Sequence, residues 1–328
     1  MTTLDVPRDA RLEPGLRLMF GLVGALARIG LAPSPASAAG QPAAKRQLSK
    51  PQRWQSHDAC PDVTVRETTI PGRGGDLRIR LYTPPAAAPG GPAILYIHGG
   101  GFVMGGLDAC HWICAELAGR SGLPIASVEY RLAPDEKFPA ALEDCYDALV
   151  WLVDGGPTGT APSGVAVAGD SAGGNLAAAL CLLCRASDGP MPLHQTLIYP
   201  VLDSSLSSAS WRQCAGAGLD VSTGKMMMTM YAGDHDWQDP LVSPLHSTDL
   251  SGLPPAHIVT ADWDVLHDDG WAYAERLREA GVEATFANYP GTPHGFLSLN
   301  RLCKAATPAI SEVALRIVGA VASSAEGG

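Results

Sequence analysis

Positive charge is scarce in this chain. Lys and Arg number 23 against 33 Asp and Glu in 328 residues, a formal net charge of −10. That balance excludes nucleic acid as a natural partner, and it disfavours an anionic small substrate unless the local potential overrules the total. A disulfide framework is also missing. The eight cysteines (Cys60, Cys110, Cys114, Cys145, Cys181, Cys184, Cys214 and Cys303) are scattered along a long chain, which fits a reducing compartment. The pair in "CLLC", Cys181 and Cys184, lies inside an apolar helical run, away from the helix start that would stabilise a thiolate. Two further ligands at zinc spacing are not evident nearby, so the pair reads as small core residues. No metal and no other cofactor is expected, and no internal repeat is visible.

A long uninterrupted apolar run is absent too. "GLRLMFGLVGALARIGLAPSPASAAG" (Gly15 to Gly40) is broken by Arg28, and Asp5, Asp9 and Glu13 stand where a secretion signal would be basic. Leu16, Met19, Phe20, Val23, Leu26 and Ile29 recur at helical spacing, which predicts an amphipathic helix and no stable membrane insertion. "APSPASAAGQPAAK" (Ala32 to Lys45) then reads as a loose linker. A cytoplasmic location is expected; secretion or a periplasmic location is the alternative if the apolar stretch is a signal.

What is present is strand and helix in alternation. "DVTVRETTI" and "DLRIRLYTP" alternate apolar and polar residues around "PGRGG", the pattern of an antiparallel hairpin. "PAILYIHGGG" is a continuous apolar strand ending in glycines. After it come a helix near Cys110 to Arg120, strand "PIASVEY", helix "PAALEDCYDALVWLV", strand "GVAVAGD", helix "AGGNLAAALCLLC" and strand "LHQTLIYP". Strand "AHIVTA", helix "GWAYAERLREAG", strand "EATFANY" and a helix near Ala305 to Val321 close the chain. The pattern predicts an α/β fold, a mostly parallel central sheet covered by helices on both faces. Asp203 to Gly252 interrupts the alternation, at the carboxyl end of the sheet where such folds bind ligands. The methionines of its helical stretch, Met226, Met227 and Met230, suit an adaptable apolar pocket, with plain core packing the alternative for each, and Phe102 is expected beside them.

Chemistry concentrates at "GDSAGGNL" (Gly169 to Leu176). G-x-S-x-G between a strand and a helix is the context of a nucleophile elbow, a sharp turn that exposes Ser171 at its apex. Gly169 and Gly173 leave room for that turn. Serine needs a base and a group to orient the base. His294, in "NYPGTPHGF", is the candidate base; His257 within a strand and His267 at a helix start are weaker. For the acid, Asp262, Asp264, Asp268 and Asp269 all follow one strand, and chemistry alone does not choose among them. "HGGGF" (His98 to Phe102) ends a strand with three glycines, so the N–H groups of Gly100 and Gly101, with that of Ala172, are candidate oxyanion donors.

Together "IPGRGGDLRIRLYTP", "YIHGGGFVMG", "VEYRLAPDEKFPAALED", "VAGDSAGGNLA", "LIYPVLD", "GLPPAHIVTADWDVLHDDG" and "PHGF" resemble the hormone-sensitive-lipase-like (bacterial family IV) esterases of the α/β-hydrolase fold, over about Val63 to Leu299. The resemblance implies Asp264 as the acid, because the family's D-P-L-x-D-x-G falls on Asp264 to Gly270, with Val265 in place of the usual proline. It also implies residues 1–50 as N-terminal cap helices and linker, 51–202 and 253–328 as the hydrolase core, and 203–252 as a cap insertion. The expected activity is a serine carboxylesterase, Ser171, His294 and Asp264 hydrolysing small-molecule esters of short to medium acyl chains through an acyl-enzyme. An amide hydrolase or dehydratase on the same residues, or a non-catalytic ligand receptor, are the alternatives. Monomer and homodimer both stay open.

Overall fold

Strands buried on both faces make the middle of the sheet; most are apolar runs without polar alternation, and the strand His194–Ile198 is the exception, burying His194, Gln195 and Thr196 as well. In the computed structural model, which describes Leu12, Leu16 and residues 59–214 and 219–326, β3 (Ala93–Ile97), β4 (Ile125–Val128), β5 (Val165–Asp170) and β6 (His194–Ile198) are buried at every position. The alternating segments form the hairpin of β1 (Thr64–Gly72) and β2 (Gly75–Thr83) at one edge. With β7 (Ala256–Trp263) and β8 (Ala284–Pro293) the sheet has eight strands in the order β1-β2-β4-β3-β5-β6-β7-β8. β2 runs antiparallel to β1 and β4; from β4 to β8 all pairings are parallel.

The helices divide between the two faces. α1 (His111–Ser121) and α7 (Ala306–Glu326) share one core with Ile94, Tyr96, Ile198 and Val259. α2 (Ala140–Val153), α3 (Ala172–Ala186) and α6 (His267–Glu279) build the other with Leu95, Ile97, Val167 and Ile258. Cys181 and Cys184 are buried there as small apolar residues. Within 203–252 lie α4 (Ala209–Gln213) and α5 (Val221–Ala232), whose Trp211, Met228 and Tyr231 join the second core. Helices proposed for residues 1–50 lie outside the described residues apart from Leu12 and Leu16, and Leu16 is fully buried in the α1–α7 core.

One boundary differs from expectation in a way that matters. β8 runs on past Tyr289 to Pro293, because a register irregularity between Ala261 and Trp263 lets Trp263 pair with Pro293. The strand therefore delivers the chain directly to His294.

Candidate active site

Between β5 and α3 the backbone must reverse within one residue. Ser171 takes φ 55° and ψ −117°, a positive-φ conformation that costs a residue with a Cβ on the order of 1 kcal/mol or more. The surroundings hold it there: its N–H donates to Ile198 O at 2.8 Å. They also explain a glycine, since a Cβ at position 173 would lie only 2.6 Å from the His98 carbonyl oxygen.

A chain of hydrogen bonds starts at this bend. Ser171 Oγ lies 2.9 Å from His294 Nε2, and His294 Nδ1 lies 2.7 Å from Asp264 Oδ2. The carboxylate faces Nδ1, so the ring proton belongs there and the lone pair of Nε2 faces the serine hydroxyl, which donates to it. Burial works against a charged His294, but the Asp264 carboxylate outweighs it and raises the imidazole above its ordinary pKa. Asp264 is itself 1% exposed, and its other oxygen accepts the Leu266 N–H at 3.0 Å. The remaining three aspartates are engaged elsewhere: Asp262 with the Gly291 N–H, Asp268 with the Ser210 N–H and His267, and Asp269 buried in the first turn of α6. His257 is bonded to Thr285 inside the sheet.

After β3 the glycine run turns tightly, with φ 126° at Gly100, 60° at Gly101 and 65° at Phe102. The Gly100 carbonyl accepts the N–H groups of Val103 and Met104, which curls the loop beside Ser171. Asp170 anchors it, accepting the Gly99 N–H at 3.0 Å and the Tyr96 hydroxyl at 2.8 Å. Burial pushes the Asp170 carboxyl up, and those two donors pull it back. Ala172 opens α3, so its N–H has no acceptor within the helix. His98 stacks on Tyr130 at 4.2 Å and points Nδ1 at the Gly99 carbonyl; burial brings its pKa down to about 4. It braces the loop as a neutral ring.

A cavity of about 330 Å³ opens on Ser171 and His294, with Gly100, Gly101 and Phe102 in its wall. Phe102 stacks flat on Tyr231, centroids 3.8 Å apart. Of the three methionines expected there, Met227 lines the cavity; Met226 and Met230 do not, and Met228 takes part instead. The reason is the helical period. Thr223, Gly224, Met227 and Met228 share one face of α5, while Met226 and Met230, four apart, share another and pack against the core. Trp211, Leu206 and Tyr199 also line the cavity. The i, i+1, i+4, i+5 spacing on α5 could have found the correct methionines; nothing local marks Trp211 or Tyr199. Among the described residues no group of three His, Cys, Asp or Glu side chains is arranged to hold a metal ion.

Residues 94–298 match the α/β hydrolase fold family. A carboxylesterase of Mycobacterium tuberculosis, NlhH, is 37% identical over 272 residues, covering 80% of this chain and 83% of its own. An ethyl acetate hydrolase of Pseudomonas putida is 37% identical over 270 residues, 80% and 85% of the two chains. Among solved structures, an ester hydrolase from the metagenome of Lake Arreo superposes with a TM-score of 0.87 at 37% identity, covering 94% of this chain and 98% of that one. The hyperthermophilic esterase of Pyrobaculum calidifontis gives 0.84 at 35%, with 95% and 99% covered. The chain belongs to the hormone-sensitive-lipase-like (family IV) carboxylesterases, carboxylic ester hydrolases built on the α/β-hydrolase fold.

Proposed function

We propose that Ser171, His294 and Asp264 hydrolyse small carboxylic esters through a covalent acyl-enzyme. The observation that carries this reading is the unbroken relay from Ser171 Oγ through both nitrogens of His294 to Asp264. In the first half-reaction His294 Nε2 takes the Ser171 proton while Oγ attacks the ester carbonyl. The oxygen that gains charge is held by the N–H groups of Gly100, Gly101 and Ala172, donors preorganised by the glycine loop and the start of α3. His294 then gives its proton to the departing alkoxide, and Asp264 holds Nδ1–H and steadies the imidazolium. Water enters, loses a proton to His294, and attacks the acyl-enzyme; collapse breaks the bond to Ser171 Oγ, which takes the proton back from His294 Nε2 as the carboxylic acid leaves.

Short to medium acyl chains fit a cavity of about 330 Å³ walled chiefly by apolar side chains, and the relative named for ethyl acetate hydrolysis supports small esters. Residues 203–252, which contribute Leu206, Trp211, Gly224 and Met227 to that wall, act as the cap over a core formed by 51–202 and 253–328. Eight free thiols suit a cytoplasmic setting. The test is Ser171→Ala with labelling by a serine-directed phosphonate. Turnover of p-nitrophenyl acetate should fall to background, and the parent should carry the label on Ser171 alone. Label on another serine, or near-parental turnover in the variant, refutes the assignment.

A further inference from the structure

Gly224 is an odd residue for the first turn of a helix, past the cap, where glycine costs up to about 1 kcal/mol relative to alanine. It is neither a cap residue, those being Asp220 and Gly233, nor at positive φ; its N–H already donates to the Asp220 carbonyl at 2.9 Å as the first turn of α5 closes. Its environment gives the reason. A Cβ on Gly224 would meet Trp211 Cη2 at 2.7 Å and Cζ3 at 3.0 Å, with Leu206 Cδ1 at 3.3 Å. The indole of Trp211 leans directly on the bare backbone of α5. Trp211, Leu206 and Gly224 all line the cavity above Ser171.

The backbone under Trp211 has little freedom to retreat. Neighbouring Ser210 donates its N–H to Asp268 at 2.8 Å and its hydroxyl to the Val265 carbonyl at 2.6 Å, which ties α4 to the loop that carries Asp264. Leu206 stands at φ 53°, a conformation uncommon for a leucine that persists only where the surrounding packing holds it. If a side chain appeared at position 224, the indole would have to swing, and the free volume beside it is the cavity.

We propose that Gly224 and Trp211 form the size gauge of this enzyme: the missing side chain at 224 lets the indole stand back, and the depth of the indole fixes the largest apolar arm of the ester that the cavity accepts. The inference rests on the active-site reading above and assigns selectivity to one contact within it. The arm in question is acyl or alkoxy, and two substrate series separate the cases.

The experiment measures kcat/KM for p-nitrophenyl esters from acetate to decanoate and for alkyl acetates from methyl to octyl. The proteins are the parent, Gly224→Ala, Trp211→Leu and the double variant. In one of the two series Gly224→Ala should move the optimum to shorter chains, each methylene no longer housed lowering kcat/KM by about fourfold. Trp211→Leu should move it to longer chains. The double variant should follow Trp211→Leu, because the added methyl then has no indole to displace. Profiles of both single variants that track the parent in both series overturn the proposal. So does a Gly224→Ala shift of equal size with Leu at 211, since the methyl would then act elsewhere. Should Gly224→Ala not fold, Trp211→Leu decides alone: an unmoved optimum in both series refutes. Ser171→Ala runs alongside; activity surviving there removes the active-site reading itself, whereas a dead Ser171→Ala with unmoved profiles removes only the gauge.

Discussion

Acidification should destabilise this protein through imidazoles far from the reaction centre. His194 on β6 and His257 on β7 sit near the amino ends of adjacent strands, 4% and 1% exposed. Burial brings both down to about pH 4, His194 further disfavoured by His257, and His257 pulled between Glu312, which raises it, and Arg316, which lowers it. In the unfolded chain each titrates near 6.5. Between those values the unfolded state binds the protons and the folded state does not, so stability is intact above 6.5 and drains as pH falls towards 4. The full gap is worth about 3 kcal/mol for each imidazole, against a typical total of roughly 5–15 kcal/mol. The raised carboxyls of Asp170 and Asp269 work in the opposite sense over part of the same range, so the slope of the parent alone is not diagnostic. A difference isolates the effect. Urea unfolding followed by tryptophan fluorescence from pH 7.5 to 4.5, for the parent and His194→Leu, should give curves of stability against pH that diverge by about 1.4 kcal/mol per pH unit below 6, the variant falling less. Parallel curves would show that His194 charges without penalty in the folded state and would refute the reasoning.

Asp264→Asn should reduce turnover by about 10⁴-fold, since an amide facing Nδ1 favours the wrong tautomer; the same change in Asp262 should leave most of the rate. Because Asp264 raises the pKa of His294, kcat/KM of the parent should rise with pH along a limb centred above 6.5. In Asp264→Asn, burial is opposed only by the charge of Asp170 and the limb should move to lower pH; an unmoved limb contradicts the assignment. Met227→Ala should broaden the chain-length profile and Met230→Ala should not, a contrast that disappears if the face of α5 has been misread.

The alternation of apolar strands and amphipathic helices, and the turn at Gly169 to Gly173, were legible in the residues because each is a local pattern. The α/β class, the order of the strands along the chain and the candidacy of Ser171 and His294 follow from stretches of ten residues or fewer. Choosing among four aspartates within eight positions is a different problem. It depends on the irregular pairing at Ala261 and Trp263, which lengthens β8 and sets His294 opposite one carboxylate; only the family resemblance pointed to Asp264. Met226 and Met230 differ from expectation for a related reason. Composition marks a run of Met as pocket material, but the face that a helix turns to a cavity is set by its tertiary packing, here the Trp211 indole against Gly224 on the cavity side. Trp211 itself stands in a serine-rich stretch with no periodicity to read.

The relay couples partners 123 and 30 positions apart in the chain, each delivered by the carboxyl end of a different strand. Ordering β5, β7 and β8 side by side requires β6 between them, so the relay has no precursor in any shorter segment. Contacts of such sequence separation form slowly, because the chain entropy lost in closing long loops precedes the gain. Regained esterase activity during refolding is thus a clock for the closing of the far half of the sheet: it should lag the return of helical circular dichroism, and truncation before β8 should leave a chain that acquires helix yet never hydrolyses an ester.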